Sequence, residues 1–342
     1  MTEADKPHWS SRVSSRALLV AVCVALVAAV TGIIRPWDAN GLGNPLAGRS
    51  LYVQPVSPAA ALAAQLTAQG RTAAARAMAR LADQQVGFWL TDQSGTALVE
   101  AHNLVRAAAA RHKLPLLVIY DIPDRNCGPY VPNTASADHS YVSWVDQVAA
   151  AIGNEPAIVV VEPDAAAQAA SGCLPATLIP GRERDLGAAV RALRRDPQAV
   201  VYLDAGNSGW ITDTSRLVPV LRASGVMAAN GFSLNVASFE TVSSSVAYGD
   251  RLSAALGGRH FVIDTGRDGR GPYEADAASQ PWCNPPGRTL GVPPATATGQ
   301  PRVDAFLWVK PPGESDGTCR GGPPAGVWWP AYALGLAGAG PN

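Results

Sequence analysis

Residues 157–164 read AIVVVEPD. Five apolar residues, three of them consecutive valines, make a short run with no polar alternation, which is how a strand buried on both faces reads. Pro163 lacks the N–H that a continuing strand would need, so the strand ends beside two carboxylates, Glu162 and Asp164. The same pattern recurs along the chain, in LYV (51–53), VGFWL (86–90), LPLLVIY (114–120), AVVYLD (199–204), GFSLNV (231–236), HFVID (260–264) and AFLWVK (305–310). Between these runs, 59–81, 97–112, 140–152, 184–194, 215–223 and 246–256 show helical spacing. Asp138 or Ser140 is placed to cap the third of these, and Gly225 and Gly257 lie where helices should stop.

Continuous apolar strands alternating with helices predict an α/β fold with a parallel sheet covered on both faces. Seven or eight such units in about 290 residues fit a distorted parallel (β/α) barrel, TIM-barrel-like, better than an open doubly wound sheet. Residues 266–302, rich in Gly and Pro, read as one long loop before the last strand, and loops of that length are usually functional. No repeat or compositional boundary divides residues 50–342, which read as one domain.

The chain has 342 residues, and 27 Lys+Arg balance 27 Asp+Glu, so no net field draws it to nucleic acid. Hydrophobic residues make up 47% and charged residues 16%, which excludes a disordered chain. Residues 1–16 are polar and basic, and 17–34 carry no charge. Eighteen residues at about 1.5 Å each just span a bilayer core, and no A-x-A-like cleavage site follows. The expectation is a signal anchor rather than a cleaved signal peptide, with 1–16 as a cytoplasmic tail, 35–49 as a linker, and the remainder exported to the outer face of the membrane or secreted. Of five cysteines, Cys23 lies in the apolar segment. Cys127, Cys173, Cys283 and Cys319 lie in the exported part, where two disulfides with three possible pairings are expected. The absence of C-x-x-C and of nearby His argues against a metal site.

The chemistry gathers at strand ends. Tyr120-Asp121, Glu162-Pro163-Asp164, Asp204, Asp264 and Lys310 to Asp316 each follow an apolar run, and in a parallel barrel these ends converge on one face. Clustered carboxylates repel one another, so as a set they point to acid/base chemistry, although any single one reads more readily as a helix cap or turn residue. Trp89, Tyr120, Trp210 and Trp282 fall at or beyond the same ends, and flat amphipathic rings suit the C–H faces of pyranoses. Trp144, Trp308 and the Trp328-Trp329 pair, placed in a last helix, read as core. No H-E-x-x-H or phosphate-loop motif is present, and the five histidines are scattered. Paired carboxylates with stacking aromatics at a barrel mouth describe glycoside hydrolysis.

VIYDIPDRNCG (118–128), VVVEPDA (159–165), VYLDAGNSGW (201–210), GFSLNVASF (231–239), VIDTGRDGRGP (262–272), WCNPPGRTLG (282–291) and DAFLWVKPPGESDGTC (304–319) together resemble glycoside hydrolase family 6, in order and over nearly the whole chain after residue 46. The likeness is strongest to actinobacterial endoglucanases, mycobacterial ones included. It implies a distorted β/α barrel that hydrolyses β-1,4-glucan with inversion, without metal or cofactor. Carried over, Asp164 is the general acid and Asp316 the carboxylate proposed as base, acting directly or through water. Asp204 shapes the site, and Tyr120 lies beneath the sugar at the cleavage point. Trp89, Trp210 and Trp282 are aromatic sugar contacts, with Arg125, Asn207, Asn235, Lys310 and Glu314 as polar ones. Cys127 pairs with Cys173 and Cys283 with Cys319.

Two departures from the family pattern bear on activity. The family reads R-D-C where this chain has Arg125-Asn126-Cys127, so a second carboxylate near the acid is an amide that cannot ionise. Repulsion on Asp164 is then weaker, its pKa should fall, and turnover should drop on the order of 10²-fold or more. Asn207 stands where many members have His. The short Cys283 to Cys319 stretch resembles open-cleft endoglucanases, and no separate cellulose-binding module is seen. The expected partner is a β-1,4-glucan or cello-oligosaccharide, met by a monomer. The alternative is a weakened or inactive glucan-binding relative, motivated by Asn126.

Overall fold

The computed structural model describes residues 43–92, 95–125, 141–275 and 279–340. Among them, seven strands form one sheet in chain order, every neighbouring pair parallel: β1 (Phe88–Leu90), β2 (Leu116–Ile119), β3 (Ala157–Val161), β4 (Ala199–Asp204), β5 (Gly231–Leu234), β6 (His260–Asp264) and β7 (Val303–Leu307). Alternate residues take opposite faces. Leu116, Val118, Ile158, Val160, Val200, Tyr202, Val262, Ala305 and Leu307 form an inner core. Their neighbours Leu117, Ile119, Val159, Val161, Val201, Leu203 and Ile263 face the helices outside. Both sets are apolar, so the strands show no polar alternation.

The sheet curls until its two ends meet. The Gly87 N–H donates to the Trp308 carbonyl at 2.9 Å, and the Trp89 indole N–H donates to Val309 O at 2.9 Å. A Cβ on Gly87 would lie 2.1 Å from Val309 O, so this approach requires glycine. The expected eighth strand, LYV, is instead an isolated bridge between Leu51 and Leu114. Its backbone makes two bonds there, Leu114 N to Ser50 O and Tyr52 N to Leu114 O, and then turns away.

The outer helices are α1 (Pro58–Ala68), α2 (Thr72–Ala82), α3 (Ala97–Ala109), α4 (Tyr141–Ile152), α5 (Ala165–Ser171), α6 (Ile179–Leu193), α7 (Thr214–Ala223), α8 (Val242–Ala255) and α9 (Pro330–Leu336). The single helix expected over 59–81 is two, because Gly70 takes φ +70 between them. The expected 184–194 helix starts earlier, at Ile179, with Pro180 in its first turn. Helix α8 likewise starts earlier than expected, capped by Thr241, whose hydroxyl accepts from Ser244 N. Trp328 and Trp329 precede the last helix rather than lying in it, with Trp329 at its N-cap. Trp144 and Trp308 are buried, as expected of core residues.

The described residues from Asn44 onward form one compact unit. Within the segment expected as the 35–49 linker, Leu46 is fully buried in the inner core, and Asn44 donates to Asp304 O at 3.0 Å. Residues 1–42, including Cys23 and the apolar 17–34 segment, lie outside the described residues. Asn126, Cys127, Asp138 and Ser140 do too. No helix among the described residues is long and apolar enough to cross a membrane.

Candidate active site

Because every strand runs the same way, the residues that follow them meet at one end. Tyr120 follows β2, Asp164 lies three residues past β3, Asp204 ends β4, Asn235 follows β5, Asp264 ends β6, and Lys310 lies three past β7. Backbone strain collects there as well. Glu162, Asp164, Asn235, Ala237 and Asn284 all have positive φ, at 48, 74, 65, 57 and 45 degrees. Non-glycine residues keep such geometry only where their surroundings impose it, and such positions cluster at functional sites.

Asp164 precedes α5 and is half-buried. Its backbone N–H donates to Asp204 Oδ1 at 2.9 Å. Burial pushes its carboxyl up to about 6, with Lys310 opposing and Asp316 adding to the rise. Asp204 is fully buried and also accepts from Gly206 N at 2.9 Å and Ser233 Oγ at 3.0 Å. Burial and the neighbouring Asp164 push Asp204 up to about 8 against those donors. The two acids are therefore coupled, one carrying the other's backbone.

Asp316 is held in the opposite sense. Its carboxylate meets Arg267 at 2.8 Å and Lys310 at 3.4 Å and accepts from Asn284 N at 2.9 Å. Burial alone would raise its pKa, but Arg267 and then Lys310 overcome that and hold it below the ordinary range. Glu314, two residues earlier, is pushed up by burial to about 7, opposed by Lys310 and Arg267. The cleft thus holds a carboxyl that keeps its proton to mildly acidic pH beside one that stays ionised, a division suited to acid catalysis next to a fixed negative charge.

Tyr120 stands edge-on to Trp89, with ring centroids 4.9 Å apart and planes at 78°. The Arg125 guanidinium lies over the Tyr120 ring at 4.8 Å and donates to Tyr120 O at 2.9 Å and to Asp121 Oδ1 at 3.0 Å. Arg125 is buried and braces Tyr120. Asn235 is likewise engaged by the protein. Both N–H groups of its amide go to protein carbonyls, Glu240 O and Asp264 O at 2.9 Å each, and its Oδ1 accepts from Glu240 N. Lys310 Nζ donates to Ser315 O at 3.0 Å and holds the 310–316 turn. Asn207 Oδ1 accepts from Gly209 N and Trp210 N, closing the turn that carries Trp210. Trp210 is half-buried and packed on the outer core, while Trp282 is 42% exposed.

Cys283 and Cys319 are bonded to each other, and Cys173 is disulfide-bonded as well. Two site residues were missed in the sequence. Arg267 is one, fully buried against Asp316 with its guanidinium over Phe239 at 4.2 Å. Asn284 is the other. Asp264, seen only as part of the acidic set, accepts N–H bonds from Gly266, Lys310 and Ala237 at 3.0 Å each and so ties three strand ends together. The sequence signal for Arg267 was a cation three residues past a strand end, as Lys310 is.

Comparison with known proteins fits this geometry. The family model for glycosyl hydrolases family 6 matches residues 46–339. Endoglucanase A of Thermobispora bispora is 34% identical over 95% of this chain and 69% of its own length. Endoglucanase 1 of Streptomyces halstedii is 36% identical over 82% of this chain and 86% of its own. The chain spans only 53% of the Endoglucanase A of Cellulomonas fimi, to which it is 41% identical. Among solved structures, the endoglucanase Cel6 of Mycobacterium tuberculosis, in complex with methyl-cellobiosyl-4-deoxy-4-thio-β-D-cellobioside, superposes with a TM-score of 0.80 at 40% identity, covering 87% of this chain and 99% of that one. A seven-stranded parallel barrel, acids gathered at its strand ends and a family match over nearly all of the folded unit lead to one conclusion: this chain is a glycoside hydrolase belonging to glycosyl hydrolases family 6.

Proposed function

We propose that this protein is a cellulase that cleaves internal β-1,4-glucosidic bonds of a cellulose-like glucan with inversion, Asp164 protonating the leaving oxygen. The observation that carries the reading is the Asp164 carboxyl itself, half-buried at the strand ends with its pKa lifted to about 6. Burial is the leading cause of that rise, and Asp316 adds to it. Burial thus raises this carboxyl with an amide at position 126, which supports an active enzyme over a glucan-binding relative.

Asp316 is the carboxylate proposed as base. Clamped by Arg267 and Lys310, it has low proton affinity and is a weak direct base. Its part in this reading is to stay ionised, orient the attacking water and draw the proton away through water. Tyr120 and Trp89 would line the cleavage point, and Trp210 and Trp282 would stack on flanking sugars. The short stretch between Cys283 and Cys319, 36 residues apart, supports an open cleft and endo action. The likeness to endoglucanases is consistent with export; in this reading 17–34 is the signal anchor or signal peptide, and the barrel acts as a monomer outside the cell.

Proton NMR of cello-oligosaccharide hydrolysis tests this. The α-anomer should appear first, and Asp164→Asn should abolish its appearance. Immediate release of the β-anomer would overturn inversion, and undiminished cleavage by Asp164→Asn would overturn the assignment of the acid.

A further inference from the structure

Asn284 and Asp316, 32 residues apart, bond to each other in both directions. The Asn284 N–H donates to Asp316 Oδ2 at 2.9 Å, and the Asp316 N–H donates to Asn284 Oδ1 at 2.8 Å. Asn284 is buried and takes φ +45, a left-handed conformation that asparagine tolerates better than most residues. Its Nδ2 lies within reach of Gly317 O at 2.8 Å, Cys319 O at 3.2 Å, Ser315 Oγ at 3.2 Å and Cys319 Sγ at 3.1 Å. One side chain therefore binds both flanks of Asp316 and the far half of the disulfide that begins at its own neighbour, Cys283. The packing is close enough that a Cβ on Gly322 would lie 2.5 Å from Asn284 Nδ2.

We propose that Asn284 is the positioning residue for the Asp316 carboxylate and carries the constraint of the Cys283–Cys319 disulfide into the active site. The inference deepens the glucanase reading and rests on it for its catalytic consequence. Asp316 faces two cations, Arg267 and Lys310, two acids, Asp164 and Glu314, and the Tyr332 hydroxyl. Its charge depends on keeping the Arg267 contact at 2.8 Å. Without the Asn284 side chain, the Asp316 backbone loses an acceptor and the carboxylate moves away from that guanidinium.

The test uses the full-length protein carrying Asn284→Gly, which keeps the left-handed backbone and its N–H and removes only the side-chain contacts. On carboxymethylcellulose, kcat should fall on the order of 10- to 100-fold with KM within about twofold, since small misplacements of reacting groups have effects of that size. The acid limb of the kcat profile should also move to higher pH. A purely structural residue would lower Tm and leave kcat and the acid limb in place, and that result overturns the proposal. Titration of the Asp316 carboxyl, followed by NMR in aspartate-labelled protein, reads the same effect without turnover. Asn284→Gly should raise it, and an unchanged titration overturns the proposal even if the wild type cleaves nothing, an outcome that would defeat only the glucanase reading. Asn284→Ser, which also removes the acceptor reaching the Asp316 N–H, covers a glycine variant that fails to fold: it should raise that titration too, and an unchanged titration overturns the proposal. Cys319→Ser should shift it in the same direction by less, and no shift would remove the disulfide from the proposal.

Discussion

The backbone N–H of Asp164 is bonded to the side chain of Asp204, 2.9 Å from Oδ1, so the acid after β3 is held in its left-handed conformation by the carboxylate that ends β4. Asp204 also accepts from Gly206 and Ser233, and each bond anchors a different strand end. Asp204→Ala would leave these donors buried without an acceptor, at about 1–3 kcal/mol for each unsatisfied group. Urea unfolding should show a loss of that order together with loss of cleavage, because the Asp164 backbone is freed. A variant of wild-type stability and rate would show that Asp204 holds nothing in place.

Activity should fall as pH rises through about 6, the value to which burial lifts Asp164, since a general acid must carry its proton. An alkaline limb near 6 in the kcat profile is the expected outcome. An alkaline limb near 4 would mean that the site does not raise this carboxyl.

Stability should follow a related course. Asp164, Glu162, Glu314 and Asp204 all have folded pKa values raised above their ordinary ones, to about 6, 7, 7 and 8. Each contributes stability that is fully present below its unfolded pKa and is lost as pH rises through the folded value. Asp316, depressed by Arg267 and Lys310, contributes stability above its unfolded pKa that is lost in acid. Tm should therefore be highest near pH 4, where the unfolded carboxyls begin to lose their protons, and decline as pH rises from about 4 to about 8. Glu162→Gln, which removes one buried ionisation, should flatten the decline, and an unchanged slope would exclude Glu162 as a contributor.

The two outer tryptophans should separate by readout. Trp282 is 42% exposed, so Trp282→Ala should raise KM with Tm nearly unchanged. Trp210 packs against the outer core, so Trp210→Ala should raise KM and lower Tm together. Equal KM for wild type and Trp282→Ala would remove that ring from the sugar path.

Strand positions were legible because both faces of each strand are apolar, and AVVYLD and HFVID match β4 and β6 residue for residue. LYV shares that composition but sits where the sheet ends have already met at Gly87 and Trp308, a closure that composition does not reveal. The Ala-rich 59–81 stretch hid its break because alanine suits a helix on every face, leaving only Gly70 as a sign. In the site, strand-end carboxylates were readable because parallel strands bring their ends together. The internal engagement of Arg125, Asn235 and Asn284 was not, since Asn235 Nδ2 reaches Asp264 O and Asn284 reaches Asp316 across long stretches of chain.

Reducing-end release from carboxymethylcellulose by wild type, Asp164→Asn and Asn126→Asp, side by side, tests the central claim most directly. Asparagine tolerates the left-handed backbone at 164, so that variant should fold and lose on the order of 10²- to 10⁴-fold in rate. The account predicts cleavage by the wild type that disappears in Asp164→Asn. A silent wild type, with cleavage appearing only in Asn126→Asp, would contradict it and describe a glucan-binding relative instead.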